Sequence, residues 1–248
     1  MRAIILAGGY AKRMWPLTKD FPKVLLPIDE RPVIDHILDK LHEANIKAVI
    51  IITNLTFESH FHSWLEKKPG HSVEILAEPS RCEEEKLGAI GALATFAPKL
   101  APDDYLVIAG DNIFTGKLGS MIQFYKKKKA PVVAVIRAGT KDEVLRGSSV
   151  ILERDMRIAQ FREKPDEAES MLIGVAIYLL PYQILMKTVE YIQEGGNNDA
   201  LGNFMEWLCK KDRVYGYMLQ GRLWDVGTIE SYEQLKRELQ TTNNHPKS

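Results

Sequence analysis

The sequence contains little of what marks several classes of protein. It has only two cysteines, Cys82 and Cys209, and no Cys-x-x-Cys pair, so neither a disulfide framework nor a zinc ribbon is indicated. Basic and acidic residues both number 33, which gives no electrostatic reason to expect nucleic acid or an anionic membrane as a partner. No apolar run approaches the ~20 residues of a membrane span. The first apolar run is too short for a signal peptide, and free thiols suit a reducing compartment, so we predict a cytoplasmic protein.

Short apolar runs alternate with amphipathic stretches in the first half of the chain. Fully apolar runs predict buried strands at Ala3–Ala7, Ala48–Ile52, Val73–Leu76, Tyr105–Ala109 and Val132–Ile136. Apolar residues at helical spacing predict helices at Val33–Ala44, Phe57–Leu65, Ala89–Phe96 and Leu118–Lys129. Strand–helix–strand order with strands buried on both faces predicts an α/β fold with a mostly parallel, doubly wound sheet. In such sheets ligands bind beyond the carboxyl ends of the strands.

The pattern changes after Arg137. A hairpin is predicted around Glu153–Met156, and later elements are predicted at Leu172–Leu180, Tyr182–Gln193, Asp199–Lys210, Val214–Leu219 and Ile229–Leu239. We predict one domain over residues 1–240, in which residues 1–137 bind a nucleotide and residues 138–240 form a smaller acceptor-binding insertion. Residues 241–248 are predicted to be a polar tail.

A glycine pair follows the first predicted strand. Gly8 and Gly9 allow a tight turn and close ligand approach, and backbone N–H groups in such a turn form an anion nest. Arg13 can add a bidentate contact to phosphate oxygens. The spacing matches neither GxGxxG nor GxxxxGK[ST], so the dinucleotide fingerprint and the P-loop are absent. The alternative is a turn whose glycines serve backbone geometry alone.

Three further side chains suit phosphoryl chemistry. Lys23 lies between a proline and an apolar run, where its ammonium can neutralise charge on a phosphate in transfer. Asp111 follows Gly110 at a strand's carboxyl end, and Asp225 can supply a second carboxylate. Mg²⁺ takes one or two carboxylates together with phosphate oxygens. The alternatives are a surface lysine and two aspartates that cap helices or turns.

An acid and a base stand together at Glu163-Lys164-Pro165. A carboxylate beside an ammonium suits sugar hydroxyls next to a sugar phosphate. The alternative is an ordinary surface ion pair.

In combination these segments resemble the sugar-phosphate nucleotidyltransferases, the pyrophosphorylases that make nucleotide-sugars. That family opens with a double glycine, then Arg-(Leu/Met)-x-Pro-Leu-Thr, Pro-Lys and Leu-x-Pro-(Val/Ile). The resemblance spans nearly the whole chain in the expected order, through Gly8–Thr18, Pro22–Ile28, Leu87-Gly88, Gly110-Asp111-Asn112, Glu163-Lys164-Pro165 and Trp224–Thr228. It implies the family's Rossmann-like sheet, without the C-terminal β-helix of some relatives.

The resemblance also implies roles for individual residues. Arg13 would hold the β- and γ-phosphates, Lys23 the reacting phosphate, and Asp111 would act with them in catalysis. Asp111 and Asp225 would bind Mg²⁺. The implied nucleotide contacts are Leu6, Ala7, Gly8, Gly9, Glu78 and Gly88. The implied contacts to the sugar 1-phosphate are Gly147, Glu163 and Lys164. The implied partners are therefore an NTP and a sugar 1-phosphate, and a homo-oligomer is compatible with the family.

The resemblance leaves the base and the sugar open. Gly110–Phe114 is similar to the thymidylyltransferase branch, whereas Leu87–Leu93 is closer to the uridylyl- and guanylyltransferase branches. Many relatives have Gln where this chain has Glu78, and a carboxylate suits the N–H edge of guanine better than a uracil ring. The family's Asn-Ala-Gly-Ile-Tyr strand is replaced by Gly174–Tyr178, which removes one expected sugar contact.

The first hypothesis is thymidylyl or uridylyl transfer to glucose 1-phosphate. The alternatives are an enzyme similar to mannose-1-phosphate guanylyltransferase, a non-catalytic nucleotide-sugar-binding regulator, and an unrelated α/β oxidoreductase.

Overall fold

The computed structural model describes residues 1–68 and 72–243, and the last five residues of the predicted polar tail lie outside this range. Eight helices lie within it: α1 Val33–Glu43, α2 Glu58–Leu65, α3 Gly88–Phe96, α4 Leu118–Lys128, α5 Lys141–Arg146, α6 Tyr182–Gln193, α7 Leu201–Lys211 and α8 Ile229–Asn243. Short 3-10 turns lie at Lys12–Met14, Lys23–Leu25, Glu83–Glu85 and Ala97–Lys99. Within the described ranges, no helix combines the length and the apolar character needed to cross a bilayer.

Thirteen strands are described: β1 Arg2–Leu6, β2 Pro27–Ile28, β3 Arg31–Pro32, β4 Ala48–Asn54, β5 Ser72–Glu78, β6 Tyr105–Ala109, β7 Asn112–Phe114, β8 Val132–Arg137, β9 Ser148–Leu152, β10 Ile158–Glu163, β11 Leu172–Leu180, β12 Tyr215–Met218 and β13 Leu223–Asp225. Seven of them form one sheet in the order β12-β8-β11-β6-β1-β4-β5. β4 pairs with β5 and β12 with β8 in parallel, whereas β11 runs antiparallel to both β6 and β8. The predicted α/β fold with a mostly parallel sheet is confirmed.

Most elements lie within one or two residues of their predicted positions. β6, β11 and α6 have the predicted bounds, because each is a long apolar or strongly periodic run with clear flanking residues. The predicted hairpin is confirmed as β9 paired with β10. The final helix extends to Asn243, four residues past the predicted end.

The chain divides into two compact units. The first comprises Met1–Ile4, Leu87–Ile108 and Lys117–Gln220, and it contains the strands β8 to β12 and the helices α3 to α7. The predicted division at residue 137 stays a prediction.

The second unit comprises Ile5–Lys86, Ala109–Gly116 and the C-terminal segment that begins at Gly221. It has its own apolar cluster, which draws side chains from distant parts of the sequence. The fully or nearly fully buried members are Met14, Leu26, Ile28, Val33, Ile113, Val226, Tyr232 and Leu235. This cluster fixes three parts of the unit against one another: the loop from Ala7 to Thr18 after β1 (the glycine loop), the β7–β13 pair and α8.

Candidate active site

The glycine loop is held open by hydrogen bonds from neighbouring strand ends. The Ala7 N–H donates to the Ile52 carbonyl at 2.7 Å, and the buried Asn54 amide donates to the Gly8 carbonyl at 2.9 Å. Farther along the loop, the Thr18 hydroxyl donates to the Ala11 carbonyl at 2.9 Å, and Ala11 takes a left-handed conformation. These hydrogen bonds restrain the loop, which lowers the ordering cost of binding a ligand.

Arg13 projects from this loop beside Asp225. The next residue, Met14, is fully buried in the apolar cluster, so Arg13 itself is directed outward and is exposed. A Cβ added at Gly227 would lie 2.7 Å from Asp225 Oδ2 and 3.3 Å from Arg13 Nη2. The guanidinium and the carboxylate thus both border the space that Gly227 leaves free.

Lys23 reaches the predicted aspartate. It begins a 3-10 turn whose next two residues are buried, and its Nζ lies 2.6 Å from Asp111 Oδ2. Both side chains keep partial exposure, 14% for Lys23 and 27% for Asp111, so an incoming phosphate can reach them. The interpretation of Lys23 as a free surface lysine is wrong.

The β7–β13 pair carries the two aspartates to the same place. Asp225 is paired in register with Asn112, and the Val226 N–H donates to the Asp111 carbonyl at 3.0 Å. Crowding by protein atoms and then the charge of Asp111 raise the pKa of Asp225 above its ordinary value, whereas Lys23 and Arg13 oppose that rise. Two carboxylates separated by 114 positions in the sequence therefore act on one another electrostatically.

Gly110 allows Asp111 to come close to the first strand. Its N–H donates to the Leu6 carbonyl at 2.8 Å. An added Cβ would lie 2.8 Å from the same carbonyl oxygen and 3.0 Å from Val24 Cγ1. No side chain fits there, because backbone atoms cannot move aside as flexible side chains can.

The donor set suits a hard divalent cation. Asp111 and Asp225 lie close enough for the charge of Asp111 to act on the Asp225 carboxyl, and a cation between them would relieve that repulsion. In the described ranges, no group of three or more His, Cys, Asp or Glu side chains converges on one point. A two-carboxylate site is still complete for Mg²⁺ when phosphate oxygens and water fill the remaining positions.

Glu78 lies buried against the glycine loop. It is 2% exposed, and its Cδ would be 3.7 Å from a Cβ placed on Gly8. The Ser80 hydroxyl donates to Glu78 Oε1 at 2.7 Å, and the Tyr10 hydroxyl donates to Ser80 Oγ at 3.3 Å. Sequence reasoning missed Tyr10 and Ser80, because a tyrosine and a serine 70 positions apart give no local signal.

The three acceptor-side candidates come together in the first unit. The Lys164 N–H donates to the Gly147 carbonyl at 2.8 Å, and Glu163 is paired with Ser148 across the β9–β10 hairpin. Lys164 has a positive φ of 45°, which turns the chain away after Glu163. Gly147 ends α5, an element that was not predicted.

Helix α7 adds two residues to this cluster that sequence reasoning missed. The Glu163 N–H donates to Glu206 Oε2 at 3.1 Å. A Cβ on Gly202 would lie 1.8 Å from Glu163 Oε2, so only glycine leaves space for this carboxylate. Burial, opposed by Lys164 and reinforced by the charge of Glu206, raises the pKa of Glu163 to about 7.

Gly88 begins α3 with a φ of +75°. An added Cβ would lie 2.3 Å from the Asn198 carbonyl oxygen, so this glycine is required for packing inside the first unit. Its nucleotide-binding role stays a prediction.

Comparisons with known proteins agree on the class. The family model described as nucleotidyl transferase matches residues 2–242. The chain is 28% identical to a glucose-1-phosphate adenylyltransferase of Clostridium kluyveri, covering 98% of this chain and 68% of the relative. It is 26% identical to the D-glycero-alpha-D-manno-heptose 1-phosphate guanylyltransferase of Aneurinibacillus thermoaerophilus, covering 97% and 99%.

Solved structures share the fold over the whole chain. One is assigned to a glucose-1-phosphate thymidylyltransferase of Bacillus anthracis, with a TM-score of 0.82, 25% identity, and coverage of 96% of this chain and 94% of that one. A UDP-glucose pyrophosphorylase bound to UDP-glucose has a TM-score of 0.83 at 21% identity, with coverage of 97% and 98%; at that identity the likeness concerns the fold.

Proposed function

Because this chain belongs to the nucleotidyl transferase family, we propose that it joins an NTP to a hexose 1-phosphate and releases pyrophosphate. The first candidate reaction is thymidylyl or uridylyl transfer to glucose 1-phosphate. The thymidylyltransferase-like Gly110–Phe114 segment and the likeness to a structure assigned to a glucose-1-phosphate thymidylyltransferase support it.

The observation that carries the proposal is the convergence of two cationic and two anionic side chains. Asp111, Lys23 and Arg13 all lie close enough to act electrostatically on the Asp225 carboxyl, and Lys23 contacts Asp111 at 2.6 Å. Cations with a carboxylate pair match the parts that phosphoryl transfer needs, because the reaction is catalysed by positioning and by charge stabilisation.

The proposed mechanism is a direct in-line displacement. A phosphate oxygen of the sugar 1-phosphate attacks the α-phosphorus, the α–β bridging bond breaks, and pyrophosphate leaves with the bond's electron pair. The loop N–H groups and Arg13 hold the β- and γ-phosphates, while Lys23 neutralises charge on the α-phosphate as it becomes five-coordinate. Asp111 and Asp225 would hold Mg²⁺, which when bound neutralises phosphate charge and orients the leaving group.

On the acceptor side, Glu163 and Lys164 would bind the sugar 1-phosphate together with Gly147. The Glu163 carboxyl, whose pKa is raised to about 7, is a hydrogen-bond partner for a sugar hydroxyl in either protonation state. The Lys164 ammonium would contact the sugar phosphate.

Pyrophosphate release tests the proposal. The protein is incubated with Mg²⁺, each NTP and dTTP, and a panel of hexose 1-phosphates. We expect release with at least one pair, and a loss of at least about 100-fold in the Asp111→Ala, Asp225→Ala double variant. No release with any pair, or full activity of the double variant, would refute it; binding without turnover would favour a regulator.

Glu78 favours guanylyl transfer as a second candidate. Guanine presents N1–H and N2–H donors side by side, which suit a carboxylate acceptor, whereas uracil and thymine present one N–H between two carbonyls. Glu78 is buried and already accepts a hydrogen bond from the Ser80 hydroxyl, so a base would share this carboxylate with the protein. The guanylyltransferase relative matches 97% of this chain at 26% identity.

Glu78→Gln separates the two candidates. If guanine is the base, this variant should lower kcat/KM for GTP relative to UTP by about 10- to 100-fold, because a charged hydrogen bond is lost. If the base is a pyrimidine, activity with UTP or dTTP should rise or stay unchanged. Glu74→Gln, which changes an exposed glutamate of the same strand, serves as a matched control.

We further propose that the protein works in the cytoplasm, where Cys82 and Cys209, both free thiols, would stay reduced. A homo-oligomer is compatible with this proposal.

A further inference from the structure

A cavity separate from the candidate active site lies in the unit that carries the glycine loop. It has a volume of about 570 Å³ and is bordered by the segment after the loop, by the start of α1 and by α2. Pockets of this size hold drug-sized and cofactor-sized ligands. None of its lining residues belongs to the Arg13, Lys23, Asp111 and Asp225 group.

Aromatic rings form part of the wall. Phe21 is 36% exposed, one of three large apolar side chains exposed to this degree among the described residues. Its ring meets His60 edge-on at a centroid distance of 5.3 Å, and Trp64 lies on the same helix as His60, one turn farther on. Leu25 and Pro32 also line the cavity. A flat ring would cover the exposed face of Phe21.

The polar lining carries charges of both signs. Arg31, Lys67 and Lys68 face two carboxylates, Glu30 and Asp35. Asp35 is already neutralised, because Lys68 contacts its Oδ2 at 2.5 Å. Lys67 has no ion pair with any residue in the described ranges. Arg31 is likewise held by Asp39, at 2.9 Å, so Lys67 is the lining cation that an anionic group can contact.

Hydrogen bonds to a buried carboxylate restrain part of the wall. Asp35 is 3% exposed, and it accepts a hydrogen bond from Trp64 Nε1 at 3.0 Å as well as from Lys68. One buried carboxylate thus fixes both an indole ring and an ammonium group, which lowers the ordering cost of binding.

From these observations we propose that the cavity is a second ligand site, specific for a small organic anion with an aromatic ring. The ring lies against Phe21, His60 and Trp64, and the anionic group contacts Lys67 at the rim.

The site is connected to the Lys23 contact through the backbone. Phe21 and Leu25 lie two residues on either side of Lys23, and Leu25 belongs to the same 3-10 turn. A ligand that restrains both residues changes how firmly the Lys23 ammonium is held against Asp111. The ligand therefore acts as an effector; this part alone rests on the proposed transferase activity.

Calorimetry with three probes tests the ligand class. Phenyl phosphate combines the ring and the anion, whereas phenol supplies only the ring and inorganic phosphate only the anion. We expect saturable binding of phenyl phosphate, at least about tenfold tighter than either of the others. No saturation by phenyl phosphate at millimolar concentration, or equal binding of phenol or inorganic phosphate, would overturn the proposal.

Two variants test the location. Ser63 is an exposed α2 residue that lines the cavity, so Ser63→Tyr should fill it and weaken phenyl phosphate binding at least about tenfold. Lys67→Gln, on the exposed rim, should weaken it about three- to fivefold. Lys47→Gln removes an exposed lysine of the same unit that does not line the cavity, and it should leave binding unchanged. Binding that survives both cavity variants would place the ligand elsewhere and overturn the proposal.

Steady-state kinetics test the connection to Lys23. Phenyl phosphate should change kcat for pyrophosphate release in the unaltered protein and not in Ser63→Tyr. A purely competitive pattern against either substrate would place the ligand in the active site and overturn the proposal. If no substrate pair releases pyrophosphate, the calorimetry still decides whether the site exists.

Discussion

Glu163 should make the stability of the protein fall as the pH rises from about 4.5 to 7. Its carboxyl lies against Gly202 in a space that admits no Cβ, with the Glu206 carboxylate and the Lys164 ammonium nearby. Burial is the largest cause of its raised pKa, about 7 against an ordinary value of 4.5. Glu163→Gln keeps the shape of the side chain and removes the titration.

The sign and the size of the change in the free energy of unfolding follow from proton linkage. Between pH 4.5 and 7 the unfolded chain releases the Glu163 proton while the folded chain keeps it, so the free energy of unfolding decreases over that interval and levels off above it. A shift of this size corresponds to about 3 kcal/mol. Because Glu163 is partly exposed and solvent screens it, we expect about 2 kcal/mol.

Urea unfolding at pH 5, 6, 7 and 8 measures this change. The stability of Glu163→Gln relative to the unaltered protein should rise by about 2 kcal/mol from pH 5 to pH 8. Glu167→Gln, which removes an exposed carboxylate of the same segment, should give no such rise. A Glu163→Gln difference that stays constant with pH would refute the reasoning, because it would mean that Glu163 is ionised as easily in the folded protein as in the unfolded chain.

Three further substitutions test the role of Lys23 in catalysis and the close contacts at Gly110 and Gly202. Lys23→Met should lower kcat for pyrophosphate release by about 100- to 1,000-fold with little change in melting temperature, since it removes one charge from the reacting phosphate. Gly110→Ala should lower the free energy of unfolding by about 2 kcal/mol in urea, because its Cβ would meet the Leu6 carbonyl. Gly202→Ala should leave the protein folded but displace the Glu163 carboxylate, so the KM for the sugar phosphate should rise about tenfold, whereas Gly119→Ala, with open space around it, should change neither quantity.

The sequence predicted elements well where the signal is local. The bounds of β6 and β11 follow from continuous apolar runs, and those of α6 follow from helical spacing after Pro181. Helix α5 was missed although its signal was present: Thr140 caps it by accepting a hydrogen bond from the Glu143 N–H, and Thr-x-x-Glu is the capping-box pattern.

Contacts between distant segments could not be predicted from one sequence. The β7–β13 pair joins two three-residue strands more than 100 positions apart, and strands that short have no periodicity to detect. The resemblance placed both aspartates on Mg²⁺, but it gave no reason for their proximity. Gly202 and Glu206 had no signal either, because their importance depends on α7 packing against β10, which is a tertiary contact.

The described structure does show why each proposed catalytic side chain is where it is. Each one precedes a buried apolar residue by one position or two: Arg13 precedes Met14, Lys23 precedes Val24, Asp111 precedes Ile113, and Asp225 precedes Val226. Met14, Ile113 and Val226 belong to one apolar cluster. The same burial that stabilises the second unit therefore sets the positions of three of the four charged groups, because a side chain next to a fixed anchor has only its own rotamers left to choose.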